Sequence, residues 1–551
     1  MSAIASRGMK KPWARGLAAV LAAALLAGCA SGGNEGGQSA GNQAADGQVV
    51  SAAQEGRRTK ATVALASAVN VFAPYSKWNP YLGIQYAGVY ERLAEREQFG
   101  SDSFQGVLMK SWEKVDDVTY DCVLYDYIVD SDGNPFTAED VKFSVDKAHE
   151  NGIADSKYIE SIEVTEPYAF TMKLTDSGVG IFEMVCETCW MAARAAFEKS
   201  EADGSICAGT GPYVCVEFIS GSSTQVEKRD DYWQTPELTA VTSRANVDVI
   251  VYNTVSETTQ MAISTEDPAG TQICAWLNES IVEDARTIPG VTVESKESIQ
   301  MKTIVFNASE YSACSSEALR KAICYATDND ALITGALSGI GYAPPTFGSP
   351  YAIGYNKAWE SGDYYNYDIE KAKAMLAEAG IPEGTVLKFY GPAGAETEKT
   401  GSVLASCLAA IGLKLEVNAV EAATQSTYLN DLASGWDIFI AATTLKGPYL
   451  IQSYSYYCSS VGLNNQVNGA MWGVRDDDFE NLVDKSNSKD GAQADLDAIH
   501  DYVVDNCYVY QWFSNYFTCS YVDAIKETVT NFKNNLVVGA CEFSADYAYY
   551  E

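Results

Sequence analysis

Asp132-Gly-Asn-Pro-Phe-Thr-Ala-Glu-Asp-Val-Lys-Phe-Ser-Val145 is a turn that runs straight into a helix. Asp132-Gly133-Asn134-Pro135 brings together a side chain that bonds its own backbone, a residue free to adopt positive φ, and a fixed φ. Thr137 follows as an N-cap with Asp140 three residues on, and Val141, Phe143, Ser144, Val145 and Ala148 continue as an amphipathic run. Just upstream, Tyr120-Asp-Cys-Val-Leu124 reads as a strand. The same pattern extends outward in both directions. Ala61-Thr-Val-Ala-Leu65 predicts a strand, Asn79-Pro80 a turn, and Val89-Tyr-Glu-Arg-Leu93 part of a helix. Met301–Asn307 predicts another strand, and Ser315 or Ser316 caps a helix carrying Leu319, Ile323 and Ala326. Asp368 caps a further helix whose Ala372, Met375, Leu376 and Ala379 lead to Gly380, a C′ glycine. Strands alternating with helices predict α/β lobes, and 551 residues are too many for one simple core. No internal repeat is visible.

The amino terminus places the chain outside the cytoplasm. Lys10, Lys11 and Arg15 precede an apolar run, Leu17–Cys29, that is too short for a comfortable membrane span. Its end, Leu26-Ala27-Gly28-Cys29, resembles the lipobox of bacterial lipoproteins, which implies cleavage after residue 28 and a lipid on Cys29. The alternative is an ordinary secretory signal with a chance cysteine, and it exports the chain equally well. Residues 30–59 are rich in Gly, Ser, Ala, Gln and Asn, a flexible tether with a reach of about 30 Å. No later run of 18 apolar residues predicts a second span.

Composition removes several functions. The net charge of −35 becomes −39 once Arg7, Lys10, Lys11 and Arg15 leave with the signal segment. Such a surface repels nucleic acid and anionic lipid, so membrane association rests on a covalent anchor. The chain has only two histidines, His149 and His500, both in polar stretches of helical spacing where a solvated position is expected. That argues against a Ser-His-Asp hydrolase or a multi-histidine metal site. Cys186-Glu-Thr-Cys189 is a CxxC with Cys207 and Cys215 downstream, but a chain with 14 cysteines produces one easily by chance. The expectation is therefore a non-enzymatic protein with no cofactor and no metal.

Five segments, in order, resemble one family. Asp132–Ser144 is similar to the signature of the family 5 (peptide/nickel type) extracellular solute-binding proteins of ABC importers. Gly209-Thr-Gly-Pro-Tyr213 with Glu227-Lys-Arg-Asp-Asp-Tyr-Trp233, the helix Tyr367–Gly380, Ala410–Glu416 and Gly435-Trp-Asp437 resemble four further blocks. The resemblance covers essentially residues 60–551 and implies an α/β, two-lobed, type II periplasmic-binding-protein fold with an extra subdomain on lobe one. By that analogy residues 1–28 are the signal peptide and 29–59 the tether. Lobe one comprises 60–92, 208–300 and 505–551, the extra subdomain 93–207, and lobe two 301–504. Ligand binds between the lobes of a monomer on the outer face of the bacterial cytoplasmic membrane, and the closed form docks on ABC permease subunits. No nucleic acid is involved.

The same resemblance implies where ligand is held. Gln85 and Tyr86 fall where family members contact an extended ligand, and Tyr81, Tyr449 and Trp472 lie in segments that reach the cleft. Peptide binders carry a Trp and an Asp after the "YD" block, the aspartate pairing with the ligand ammonium. Aligned without gaps from Asp437, these positions fall on Thr443 and Lys446, a basic position falls on Ile440, and an upstream aromatic position on Thr424. An ammonium in place of a carboxylate reverses the preference of a buried site. Either Lys446 pairs with an anionic ligand group, or the alignment slips and Lys446 faces solvent. The expected solute is a peptide or peptide-like compound, with a non-peptide anion, or a ligand-sensing receptor built on the same clamp, as alternatives.

Overall fold

The computed structural model describes residues 58–75, 88–97, 99–101, 103–235, 238–277, 281–299, 301–362, 364–421, 424–441, 449–451, 454, 473, 477–488, 491–531 and 535–544. The signal segment, Cys29, the tether as far as residue 57, the Asn79-Pro80 turn, Tyr81, Gln85, Tyr86, Thr443, Lys446 and Trp472 lie outside them.

Two sheets, each with helices packed on it, build the lobes. The first has seven strands in the order Val291–Lys296, Phe517–Val522, Ile273–Cys274, Lys60–Leu65, Val249–Thr254, Ser223–Lys228, Tyr213–Ile219. Lys60–Leu65 lies at its centre, parallel to both neighbours, and its last five residues are buried, as its unbroken apolar run requires. The second has six strands in the order Gly341–Tyr342, Val509–Asn515, Met301–Phe306, Ile438–Ala441, Val386–Pro392, Lys414–Val420. One face of it (Ile304, Phe306, Ile438, Ile440, Trp512) shares a core with the helices Glu317–Ala326, Asn329–Leu337, Ile369–Glu378 and Ala395–Ala409. Val305, Phe439 and Val509 point the other way, into a core shared with Leu450 and the helix Gln493–Asn506.

A third sheet, Met109–Lys114, Thr119–Leu124, Ala169–Leu174, Ile159–Glu166, is wholly antiparallel and forms the extra subdomain. The helix Ala138–Glu150 packs along it, and the helix Ile181–Thr188 stacks Phe182 on Tyr120 with ring centroids 3.9 Å apart. The expected capping holds: Thr137 N–H and Oγ1 both donate to Asp140 Oδ2 at 2.8 Å. Asp140 Oδ1 also accepts from Arg194 N at 2.8 Å, so the cap ties two helices together.

The chain passes between the two large sheets twice, from Lys296 to Met301 and from Asn515 to Phe517. These passages lie side by side. Ser298 Oγ donates to Asn515 O at 2.5 Å, Tyr342 OH donates to Ser298 O at 2.9 Å, and the Tyr342 and Tyr516 rings stack at 5.9 Å. The return falls after Asn515, later than the residue 505 read from the sequence, because Val509–Asn515 pairs with Met301–Phe306 inside the second sheet.

Two sequence expectations are corrected. Val89–Leu93 is not helical: Gly88 O and Val89 O accept from Tyr213 N (2.7 Å) and Gly211 N (3.0 Å), and Leu93 O accepts from Met109 N (2.9 Å). Backbone groups committed to those partners cannot also close helical turns. His500 is not a surface residue. It is fully buried, stacked on Trp359 at 3.9 Å, with Nε2 2.8 Å from Thr346 Oγ1. His149 is exposed, as expected.

Candidate functional site

Two of the family-like motifs, Gly209–Tyr213 and Glu227–Trp233, are scaffolding around one stretch, Gly88–Arg96. In Gly209-Thr-Gly-Pro-Tyr213 the glycines allow close backbone approach: a Cβ on Gly209 would sit 1.9 Å from Val89 O, and one on Gly211 2.5 Å from Gly88 O. Arg229 holds this loop, its Nη2 donating to Asp130 O at 3.0 Å and its Nη1 reaching Gly209 O and Gly211 O at 3.4 Å. Tyr232 OH and Trp233 Nε1 donate to the Glu91 carboxylate at 2.6 and 3.0 Å, and Ser243 Oγ adds a third bond at 2.9 Å.

Around Gly88–Arg96 sits a buried charge cluster that the sequence reading did not single out. Glu91, Arg92, Glu95, Arg96 and Glu187 are all 5% exposed or less. Arg92 pairs with Glu95 at 3.8 Å and lies 3.7 Å over the Trp190 ring. Thr242 Oγ1 donates to Glu95 at 2.8 Å. Arg96 binds Glu187 twice, through its backbone N–H at 2.6 Å and its Nε at 3.4 Å. Burial pushes the Glu95 carboxyl up to about 7 against the pull of Arg92, and pushes Arg92 down to about 10. Burial likewise raises Glu91, partly offset by the bonds from Tyr232, Ser243 and Trp233. The sequence signal is Glu-Arg-Leu-Ala-Glu-Arg, four charges in six residues within and beyond the stretch read as part of a helix.

Lobe two closes onto this cluster. The Tyr449 hydroxyl donates to Glu187 Oε2, and Arg96 lies 5.7 Å from the Tyr449 ring. Burial, reinforced by the Glu187 charge, holds the Tyr449 phenol protonated well above its ordinary range, so it acts as a donor. Around it, Ile353 bridges to Tyr449, the Phe99 and Tyr351 rings meet at 4.8 Å, and Ser177 Oγ donates to Ser488 O at 3.1 Å. Gly180, with φ of 84°, lets the two lobes touch, since a Cβ there would lie 2.7 Å from Ile353 Cγ2 and 2.9 Å from Tyr449 Cδ1.

Among the sequence-predicted ligand residues, two are described. Ile440 is buried in the core of the second sheet, opposite Ile304 and against Gly391, so its side chain does not face the seam. Thr424 is exposed, its Oγ1 donating to Glu421 O at 2.8 Å. Tyr449, named from the resemblance as lying in a segment that reaches the cleft, is at the interlobe contact. A separate cavity of about 270 Å³ in lobe two, lined by Asn329, Phe347, Tyr364, Tyr365, Tyr510 and Gln511 among others, contains none of the predicted residues. Cys186 and Cys189 are buried, and no group of three potential metal ligands occurs among the described residues.

Residues 103–465 match the model of the bacterial extracellular solute-binding proteins, family 5 (middle region). The chain belongs to that family, whose members bind solutes for ABC transporters and are not enzymes. It is 25% identical over 333 residues to heme-binding protein A of Haemophilus influenzae, covering 55% of this chain and 58% of that protein. It is 26% identical over 339 residues to the glutathione-binding protein GsiB of Escherichia coli, covering 59% of this chain and 63% of that protein. The chain thus spans about three-fifths of the length of these relatives. In fold it is similar to the ABC transporter substrate-binding protein CtaP of Listeria monocytogenes, with a TM-score of 0.75, 17% identity, and coverage of 88% of this chain and 99% of that one.

Proposed function

We propose that the chain is a lipid-anchored receptor on the outer face of the bacterial membrane. It captures a peptide or peptide-like solute between its lobes and hands it to an ABC import permease. The observation that carries this reading is the seam, where Tyr449 of lobe two reaches Glu187 and Arg96 of lobe one. A clamp that shuts over a small solute removes it from water, and differential affinity for the shut form drives the closure. Similarity to a glutathione-binding protein fits a peptide ligand that carries several carboxylates. On this reading Gln85, Tyr86, Thr443 and Trp472 line the cleft, with Thr424 near its rim, and Lys446 pairs with a ligand carboxylate. Such charge-assisted bonds are strong inside a closed site.

The test is thermal unfolding of residues 30–551 with Cys29 replaced. The ligands are pools of di- to pentapeptides, N-blocked peptides, small carboxylates and oligosaccharides. A ligand at about 100 times its Kd adds roughly 2.7 kcal/mol, at least a degree or so in Tm for a chain of this size. A shift with anionic or N-blocked compounds that disappears in Lys446→Ala supports the whole reading. Unchanged affinity in Lys446→Ala removes the lysine from it, and no shift with any peptide pool removes peptide capture.

A further inference from the structure

The geometry points to a covalent cross-link in lobe two: Cys324 and Cys507 form a disulfide in the exported protein. Their sulfurs lie 3.1 Å apart, and both residues are fully buried. An S–S bond is about 2.05 Å long, so closing the pair takes a shift of only about 1 Å, within reach of small side-chain rotations.

Both ends are already held in place. Cys324 sits in the last turn of the helix Glu317–Ala326. Cys507 ends the helix Gln493–Asn506 with a left-handed backbone, φ 49°, and its N–H bonds back to Val503 O at 3.1 Å. Arg320, one turn before Cys324, fastens the two segments together. Its Nε donates to Cys507 O at 3.1 Å, its Nη2 to Asn506 O at 2.7 Å, and its Nη1 to Cys314 O at 2.8 Å. The pair is therefore aligned by contacts that do not involve the sulfurs. Family membership supplies the compartment, since extracellular proteins meet oxidising conditions in which disulfides persist.

The chemistry is thiol–disulfide exchange with a small-molecule or protein disulfide, RSSR. One cysteine thiolate attacks RSSR, forming a mixed disulfide and releasing RS⁻. The other thiolate attacks the cysteine sulfur of that mixed disulfide and releases the second RS⁻. The two cysteine protons end on the two RSH, so the protein pair is oxidised by two electrons and RSSR is reduced by two. Because both thiols are inaccessible once folded, the bond forms while lobe two is still assembling. Its effect is to pin the end of the helix Gln493–Asn506, and hence the start of Val509–Asn515, the strand from which the chain returns to lobe one.

The experiment takes protein exported by its host, denatures it without reductant in iodoacetamide, and maps the peptides by mass. Trypsin leaves Cys507 and Cys519 on one peptide, since no Lys or Arg lies between Lys489 and Lys526, so chymotrypsin is added to separate them. The expected result is a peptide pair joined through Cys324 and Cys507 that separates on reduction. Alkylation of both residues in the unreduced sample overturns the proposal, as does a link from either one to nearby Cys314. A second reading uses Tm: denaturation and refolding in dithiothreitol lowers it by several degrees in the native chain and leaves it unchanged in the double variant Cys324→Ser/Cys507→Ser. Equal response of the two proteins counts against the link, and the mass map stands even if the variant fails to fold.

Discussion

Tyr449 is one of the residues that join the lobes. Its hydroxyl is a donor to a carboxylate that no solvent reaches, since Glu187 and Tyr449 are 0% and 1% exposed. Tyr449→Phe leaves Glu187 Oε2 short of that donor, at a cost of about 1–3 kcal/mol. A Tm lower by a few degrees, with secondary structure unchanged by circular dichroism, is the expected outcome. Glu95 gives a pH signature of known sign. Its folded pKa of about 7 lies above the ordinary carboxyl value of 4.5, so the folded state holds the extra proton between these limits. Stability from this group is full below 4.5 and falls as pH rises to about 7. Glu95→Gln removes that dependence, so the Tm of the native chain should gain on that of the variant as pH drops from 8 to 5. These residues were only half legible in the sequence. A charge run gives no indication of its burial when the partners, Thr242, Glu187 and Tyr449, are supplied by segments up to 353 positions along the chain.

At the scale of elements, local chemistry was readable wherever the cap sat next to its helix. Thr137, Ser316 and Asp368 begin the helices they were expected to begin, and Gly380 takes the left-handed backbone, φ 67°, expected of it. Val89–Leu93 failed because its carbonyls are taken by other segments, Val89 O by Gly211 N more than a hundred residues away and Leu93 O by Met109 N. His500 failed for a different reason. In the helix Gln493–Asn506 it continues the stripe Leu496, Ile499, Val503, and polar Asp497, Asp501 and Asp505 obscure that face. Burial holds the His500 imidazole below its usual value, with Asp501 pulling the other way. The unfolded chain therefore binds the proton first, and this contribution to stability is lost as pH falls through about 6.5. The Tm of the native chain should fall between pH 7.5 and 5.5 more steeply than that of His500→Gln.

At the scale of the whole molecule, the two-lobed fold was legible because its markers are short motifs that build local scaffolding. Ile440 was not, because the alternation of its strand turns the side chain into the core of the second sheet. Closure itself is testable at Gly180. Its left-handed backbone costs an alanine the same in open and closed forms and cancels, whereas the clash of a new Cβ with Ile353 and Tyr449 exists only in the closed one. At about 1–3 kcal/mol for such overpacking, Gly180→Ala should weaken solute binding roughly tenfold or more. Small-angle scattering at saturating solute should then show a larger radius of gyration than for the native chain. The paired passages between the sheets carry a consequence of another kind. The points at which lobe two begins and ends are one hydrogen bond apart, at Ser298 and Asn515. A segment whose ends meet is a cassette: residues 299–515 can be exchanged for the corresponding piece of a relative while the other half keeps its central strand, Lys60–Leu65.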